Sequence, residues 1–375
     1  MTILKVQEFL QKGGTPEQLT AELGIIVNTN PKFSGLHLFN YHQLDSPKTD
    51  SIVMECRGLI LDKSKDWEIV HFPMIRFFNY GEALNVALDI DDGVYLEKLD
   101  GSLIGLAYHN DEWIKSTRGV INGEGSLTFS AKTFNDLLKE TWNKNNYKFP
   151  ETHYDLTFEL TTPENRHVTR YTDYKLSILC ARRKDNHYIE CDQDEKAYIA
   201  KQCGFNLPKT YNLSKIEDAQ EFVCQLDTRD EGSVFVSNTR HNSRDFYRVK
   251  VINPGHRALM RIKDSVGASM NSVMTLIMMG NVEEFTDEFP EYNDIIFDAR
   301  DKYITLVNDE TELFEKNKHL DRKEFAIATK ESKSKYMFMM YEHDISFKEC
   351  IKMEAKKKSM KTVAKKFTRI LGVDK

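Results

Sequence analysis

The chain predicts an α+β protein, with an N-terminal domain of antiparallel sheets and interspersed helices followed by an all-helical C-terminal domain. From about residue 34 to 253, short runs rich in β-branched and aromatic residues recur, most of them bounded by Gly, Asp, Asn or Pro. After INPGHR, residues 252–257, apolar residues recur at helical spacing and strand signals become few. A chain of 375 residues has room for two or three domains, and Pro254-Gly255 is a natural boundary between them. The expected domains are therefore 1–254 and 255–375.

Taken in order, SIVMECRGLILD (51–62), YLEKLDGSLIGLAY (95–108) and EWIKSTRG (112–119) read as strands. So do YDLTFELTT (154–162), YKLSILCARR (174–183), EGSVFVS (231–237) and DFYRVKVI (245–252). SAKTFNDLLKETWNK (130–144) and DQDEKAYIAKQC (192–203) read as helices between them. This mixture is the pattern of an α+β domain. Beyond the boundary, residues 257–279, 291–317 and 321–344 are helical in period. The run KMEAKKKSMKTVAKKFTR (352–369) reads as one helix, with Met353, Met360, Val363, Phe367 and Ile370 on its apolar side and lysines on the other.

Composition narrows the class. Hydrophobic residues at 40% and charged residues at 29% are those of a soluble globular protein. No apolar run approaches the roughly 18 residues that span a bilayer, and the first residues are too polar for a secretory signal. Six cysteines without C-x-x-C spacing argue against a zinc knuckle, suit a reducing cytoplasm, and read as small core residues. The net charge of −6 says little about partners, because local patches attract phosphate and the sum does not.

Lys98 and Asp100-Gly101 pose the functional question. Asp-Gly is a common hairpin pair, so a surface turn accounts for K-x-D-G by itself; a reactive lysine at the floor of a cleft accounts for it equally. In YDLTFELTT, Tyr154, Leu156, Phe158 and Leu160 share one face and Glu159 points to the other. In DFYRVKVI, Arg248 and Lys250 lie on one face, opposite Tyr247, Val249 and Val251. Each of these charges, alone, reads as the solvated side of a half-buried strand. Asn40 and Tyr41 in HLFNYHQL read as core, and His167 as polar surface.

The order K-x-D-G (98–101), S-T-R-G (116–119), F-E (158–159), E-G (231–232) and R-V-K (248–250) resembles the motif series of the covalent nucleotidyltransferases, which include polynucleotide ligases and capping enzymes. ECRGLILD (55–62) and FPMIRFFNYGE (72–82) are similar to elements of the phage-type RNA ligase 1 family, whose members include tRNA-repair enzymes. The likeness spans roughly residues 36–253, with a family-specific segment over about 1–90. It implies an adenylyltransferase domain and a three-step reaction. Lysine attacks the α-phosphate of ATP, AMP passes to an RNA 5′-phosphate, and a 3′-hydroxyl displaces AMP.

By resemblance Lys98 is the nucleophile, Glu159 lies near the ribose, and Glu231 is associated with the metal, Mg2+ with Mn2+ as substitute. Asp100 and Gly101 shape the turn at the nucleotide, Arg57 and Arg76 grip the β- and γ-phosphates, and Arg118 matches a basic nucleotide-binding position after the nucleophile. The first step needs a neutral amine, and a free lysine is neutral only about one part in a thousand near pH 7.4. Desolvation and neighbouring cations lower such a pKa, and Arg248 with Lys250 are the expected source of that field and of α-phosphate contact. In the family's phage prototype the residues matching Arg76, Arg118 and Arg248 are lysines, and an acidic residue stands at Leu99.

DNA ligases and capping enzymes usually continue into an OB-fold. The helical texture after residue 255 instead resembles the RNA ligase 1 arrangement, so RNA or tRNA is the expected substrate. Lys356, Lys357, Lys358, Lys361, Lys365 and Lys366 are the candidate RNA contacts. A monomer is expected, with a separate kinase or phosphatase preparing the ends. A DNA or nick-sealing ligase, a GTP-using capping enzyme, and a non-catalytic RNA-binding relative are the alternatives.

Overall fold

The computed structural model of the chain describes residues 3–82, 92–125, 132–240, 242–267, 269–280 and 282–373, the side chains of residues 262, 265–267, 284 and 361 excepted. Two compact units divide it, Met1–Leu259 and Met260–Lys375.

The first unit opens with α1 (Lys5–Gln11) and α2 (Pro16–Leu23), the latter started by a Thr15–Gln18 capping box. They cover a four-stranded antiparallel sheet of β1 (Ile25–Asn30), β2 (Phe33–Tyr41), β3 (Arg57–Asp62) and β4 (Glu68–His71), with α3 (Ser51–Glu55) between β2 and β3. The expected strand over 51–62 is therefore helix in its first half. The Asp50 carboxylate accepts from the Ile52 and Val53 N–H groups and starts a turn there.

The remaining strands are β5 (Phe78–Asn79), β6 (Gly93–Glu97), β7 (Ser102–His109), β8 (Glu112–Thr117) and β9 (Tyr154–Thr161). They continue with β10 (Lys175–Arg183), β11 (Ile189–Glu190), β12 (Thr210–Tyr211), β13 (Gly232–Arg240) and β14 (Phe246–Ile252). They form two more sheets, ordered β11-β10-β9-β7-β8 and β12-β6-β13-β14-β5. Among the described residues all strand pairings are antiparallel except β5 with β14, which is parallel. Phe158, Leu156 and Leu160 bury against α4 (Phe134–Asn145) and α5 (Gln193–Cys203). Val249, Val251 and Phe235 bury against α6 (Ile216–Gln225). Asp155, Thr157 and Glu159 occupy the opposite face of β9, and Arg248 and Lys250 that of β14. Two buried His–Asp pairs, His71–Asp155 and His109–Asp62, stitch the first sheet to the second.

The second unit is helical. The division falls inside α7 (Pro254–Gly267), and α8 (Met270–Met279), α9 (Val282–Glu288) and the long α10 (Asn293–Asn317) follow. The chain ends in α11 (Arg322–Ala328), α12 (Met337–His343), α13 (Phe347–Lys358) and α14 (Met360–Leu371). The single helix expected over 352–369 is thus two helices. Ser359, at φ +82°, breaks the run and its hydroxyl caps α14 through Thr362 N–H. Val363 and Phe367 are fully buried. Of the cysteines, Cys224 is exposed, which corrects its reading as core; the other five are buried and all six are free. Among the described residues no helix is long and apolar enough to cross a membrane.

Candidate active site

Strand register brings the lysines together. Val234 stands opposite Leu96 on one side and Lys250 on the other. Side chains alternate along a strand, so Lys98, two residues beyond Leu96, emerges on the face that carries Lys250. The Lys98 N–H donates to the Gly232 carbonyl at 3.0 Å, extending the β6–β13 ladder by one residue. Gly232 sits at φ +133°, where a Cβ would meet the Val251 carbonyl oxygen at 2.2 Å. This glycine-only bend turns the preceding residue, and the Glu231 carboxylate closes on the Lys98 ammonium.

The K-x-D-G turn is not a hairpin. β6 pairs with β12 and β13, whereas β7 pairs with β8 and β9, so residues 98–101 carry the chain from one sheet to the next. The Gly101 N–H donates to Glu159 Oε1 at 3.0 Å. A Cβ on Gly101 would meet the Leu160 carbonyl oxygen at 2.3 Å, so only glycine permits this approach. Burial pushes the Glu159 carboxyl up to about 8; the nearby Lys98 and Arg57 oppose the rise and Glu231 adds to it.

A cationic wall completes the site. Arg57 opens β3, Arg76 precedes β5 and Arg118 follows β8, and all three converge on Tyr41 at the end of β2. Arg76 Nη1 donates to Tyr41 Oη at 2.8 Å, and the Arg76 and Arg118 guanidiniums lie 5.0 and 5.8 Å from its ring. Burial pushes the Tyr41 phenol up, and the three guanidiniums more than reverse this, leaving it below the usual range. Phe77 stacks beneath Lys250 and Arg57, at 4.7 and 5.7 Å. Burial, then repulsion from Arg57, Lys98 and Arg76, pulls the Lys250 ammonium down to about 7. Arg57 Nη1 and Arg76 Nε are buried without a hydrogen-bond partner. Concentrated positive charge with unfilled donors is an arrangement completed by a polyanion.

Arg248 does not join this group, which corrects its expected pairing with Lys250. It occupies the same strand face, but Glu190 on β11 takes its guanidinium through two hydrogen bonds, and both residues are buried. The Asp100 carboxylate also turns away from the site: it accepts from the Val168 and Thr169 N–H groups at 2.7 and 2.9 Å and contacts His256 Nε2. Burial would raise its pKa, yet His256, His167 and these N–H groups hold it well below the ordinary carboxylate range. In the helical unit Lys356, Lys357, Lys358 and Lys365 are exposed. Lys366 is half-buried, pairing with Glu354 at 3.2 Å and stacking on Tyr336, which corrects its placement among free contacts. The side chain of Lys361 lies outside the described residues.

Sequence reasoning read Tyr41 as core and passed over Phe77 and His256. An aromatic in a strand signals core, and nothing local says which cations will gather on it. Among the described residues no group of three or more His, Cys, Asp or Glu side chains is arranged to hold a metal. Two carboxylates, Glu231 and Glu159, flank Lys98. That donor set fits a magnesium-like ion, which keeps waters and takes one or two carboxylates together with substrate phosphates.

The chain is similar to known proteins. A protein of Autographa californica nuclear polyhedrosis virus, named for both polynucleotide kinase and RNA ligase, is 27% identical over 74% of this chain and 40% of its own length. An RNA ligase of Rhodothermus phage RM378 is 25% identical over 73% of this chain and 74% of its own. A solved archaeal ATP-dependent RNA ligase aligns with 13% identity and a TM-score of 0.44, covering 76% of this chain and 72% of that one. The chain thus spans about two fifths of the length of the first of these relatives. The RNA ligase family model matches residues 55–255, more than half of the chain and the whole stretch from Arg57 through Lys250, and the protein belongs to that phage-type RNA ligase family.

Proposed function

We propose that this chain is an ATP-dependent RNA ligase that joins RNA 5′-phosphate and 3′-hydroxyl ends through a lysyl-AMP on Lys98. The observation that carries the reading is the juxtaposition of Lys98 and Glu231 beside buried cations with unfilled donors. Lys98 Nζ bonds to the α-phosphorus while the bond to the bridging oxygen breaks and pyrophosphate leaves. The proton that the ammonium must first lose lies against the Glu231 carboxylate. Arg57, Arg76 and Lys250 hold phosphate charge in a partly buried site, where electrostatic attraction exceeds its value in water. Glu159 lies beside the turn to accept from a ribose hydroxyl. Magnesium, held by Glu231 and the phosphates, would supply further charge neutralisation when bound.

AMP then passes to an RNA 5′-phosphate, breaking the P–N bond, and a 3′-hydroxyl displaces it. Repair of broken RNA such as tRNA, a monomeric state, and a partner that prepares ends belong to the same proposal. The test is incubation with α-labelled ATP or GTP and magnesium, wild type beside Lys98→Ala, resolved under denaturing conditions. Label from ATP on the wild type and none on the variant is expected. Absence of label from either nucleotide, on protein free of pre-bound AMP, rejects the reading in favour of an RNA-binding relative; label from GTP alone points to capping chemistry.

A further inference from the structure

The residues that follow the last motif, Asn253 to His256, reach back to both loops that carry the reacting groups. The Asn253 side chain donates to the Asp227 and Asp230 carbonyls at 2.8 and 3.0 Å, and its main-chain N–H donates to the Glu231 carbonyl at 3.0 Å. Its side-chain oxygen accepts from the Gly255 N–H at 2.9 Å, which fixes the start of α7. Gly255 is packed so closely on Thr228 that a Cβ would lie 2.7 Å from its methyl group. One position on, His256 Nε2 lies 3.2 Å from the Asp100 carboxylate. Asn253 is 3% and His256 2% exposed, so neither is available to a ligand. One short segment therefore grips the loop ending at Glu231 with one side chain and the Lys98 turn with another. Buried polar groups that are fully paired lock geometry, and a nucleophile misplaced by about 1 Å loses on the order of 100-fold in rate.

We infer that Asn253 and His256 are positioning residues that hold the Lys98 turn and the Glu231 loop in register, so that the Lys98 amine meets the α-phosphate in line. This rests on the lysyl-AMP reading. Asp100 is the intermediary on one side, anchored by Val168, Thr169 and His256; the main chain around Glu231 is the intermediary on the other. Formation of lysyl-AMP needs Lys98 in place. Sealing of RNA that already carries 5′-AMP needs no lysine nucleophile but still uses the site around Glu231. The two residues are thereby separable.

The experiment measures two single-turnover rates, lysyl-AMP formation from ATP and sealing of pre-adenylylated RNA, together with melting temperature. His256→Ala is expected to slow lysyl-AMP formation by at least about tenfold, about 1.4 kcal/mol. Its KM for ATP should change by less than about twofold and sealing by less than about threefold, since only positioning in the first step is lost. Asn253→Ala is expected to slow both steps. His256→Gln, whose amide N–H still donates to Asp100, is expected to melt like the wild type and to recover most of the first-step rate. Wild-type labelling with equally fast labelling of His256→Ala overturns the inference alone. Equal loss of both steps in His256→Ala together with a lowered melting temperature also overturns it, since that is a general structural role. Failure of the wild type itself to label rejects the ligase reading, and the inference with it.

Discussion

Tyr41 shows how a single side chain organises the site. Its hydroxyl accepts from Arg76, and its ring lies against Arg76 and Arg118, so it holds mutually repelling cations in one place before any phosphate arrives. Tyr41→Phe removes an acceptor for a charged donor, an interaction of about 1.5–3 kcal/mol. The expected result is a rise in KM for ATP of about tenfold with a smaller change in the maximal rate of lysyl-AMP formation, read from its ATP dependence. Glu159 yields a second prediction, from linkage. Its folded pKa, about 8, lies above its ordinary value of 4.5, so the folded state holds the extra proton and loses stability as pH rises from 4.5 to 8. Glu159→Gln cannot ionise. Its melting temperature should gain on the wild type between pH 5 and pH 8.5, and a difference that stays flat would mean the carboxylate is fully compensated.

At the scale of elements, the C-terminal basic run resolves into two helices, α13 and α14. Ser359 breaks it, and Glu354 gathers Lys358 at 3.3 Å and Lys366 at 3.2 Å. Lys356 and Lys357 remain exposed without an ion pair among the described residues. Replacing both by alanine should make the dependence of RNA affinity on salt shallower by roughly 0.7 for each phosphate that is no longer neutralised, without a change in melting temperature. Lys366→Ala should instead lower the melting temperature, because it uncovers Tyr336 and leaves Glu354 short of a partner. Salt titrations and melts on the same variants separate the two. The sequence predicted the alternation of Phe158 with Glu159 correctly, because strand period is local. It predicted one helix where there are two, because the cost of a positive φ at Ser359 is met by a cap and by packing that no local pattern encodes.

The first unit as a whole depends on how its sheets dock. Asp155 accepts from the Phe72 N–H at 2.7 Å and pairs with His71, fully buried between β4 and β9. Asp155→Ala would strand both donors, and breaking a buried pair in this way costs about 3–5 kcal/mol. Urea unfolding should show a free energy of unfolding lowered by about that amount and a correspondingly lower midpoint. Lys98→Ala, by contrast, should unfold close to the wild type while forming no lysyl-AMP, since its side chain is partly exposed. The sequence by itself determined the class of the fold and the order of the motifs, since strand period and motif spacing are written along the chain, and its resemblance to the ligase motif series singled out Lys98, Glu159, Glu231 and Lys250 as candidates. Only the tertiary structure decided that Arg248 belongs to Glu190, that Asp100 faces His256, and that Tyr41 and Phe77 carry the cations. Those choices depend on which sheet face meets which. Contacts between residues 58 to 156 positions apart are set by packing across sheets, to which no local periodicity refers.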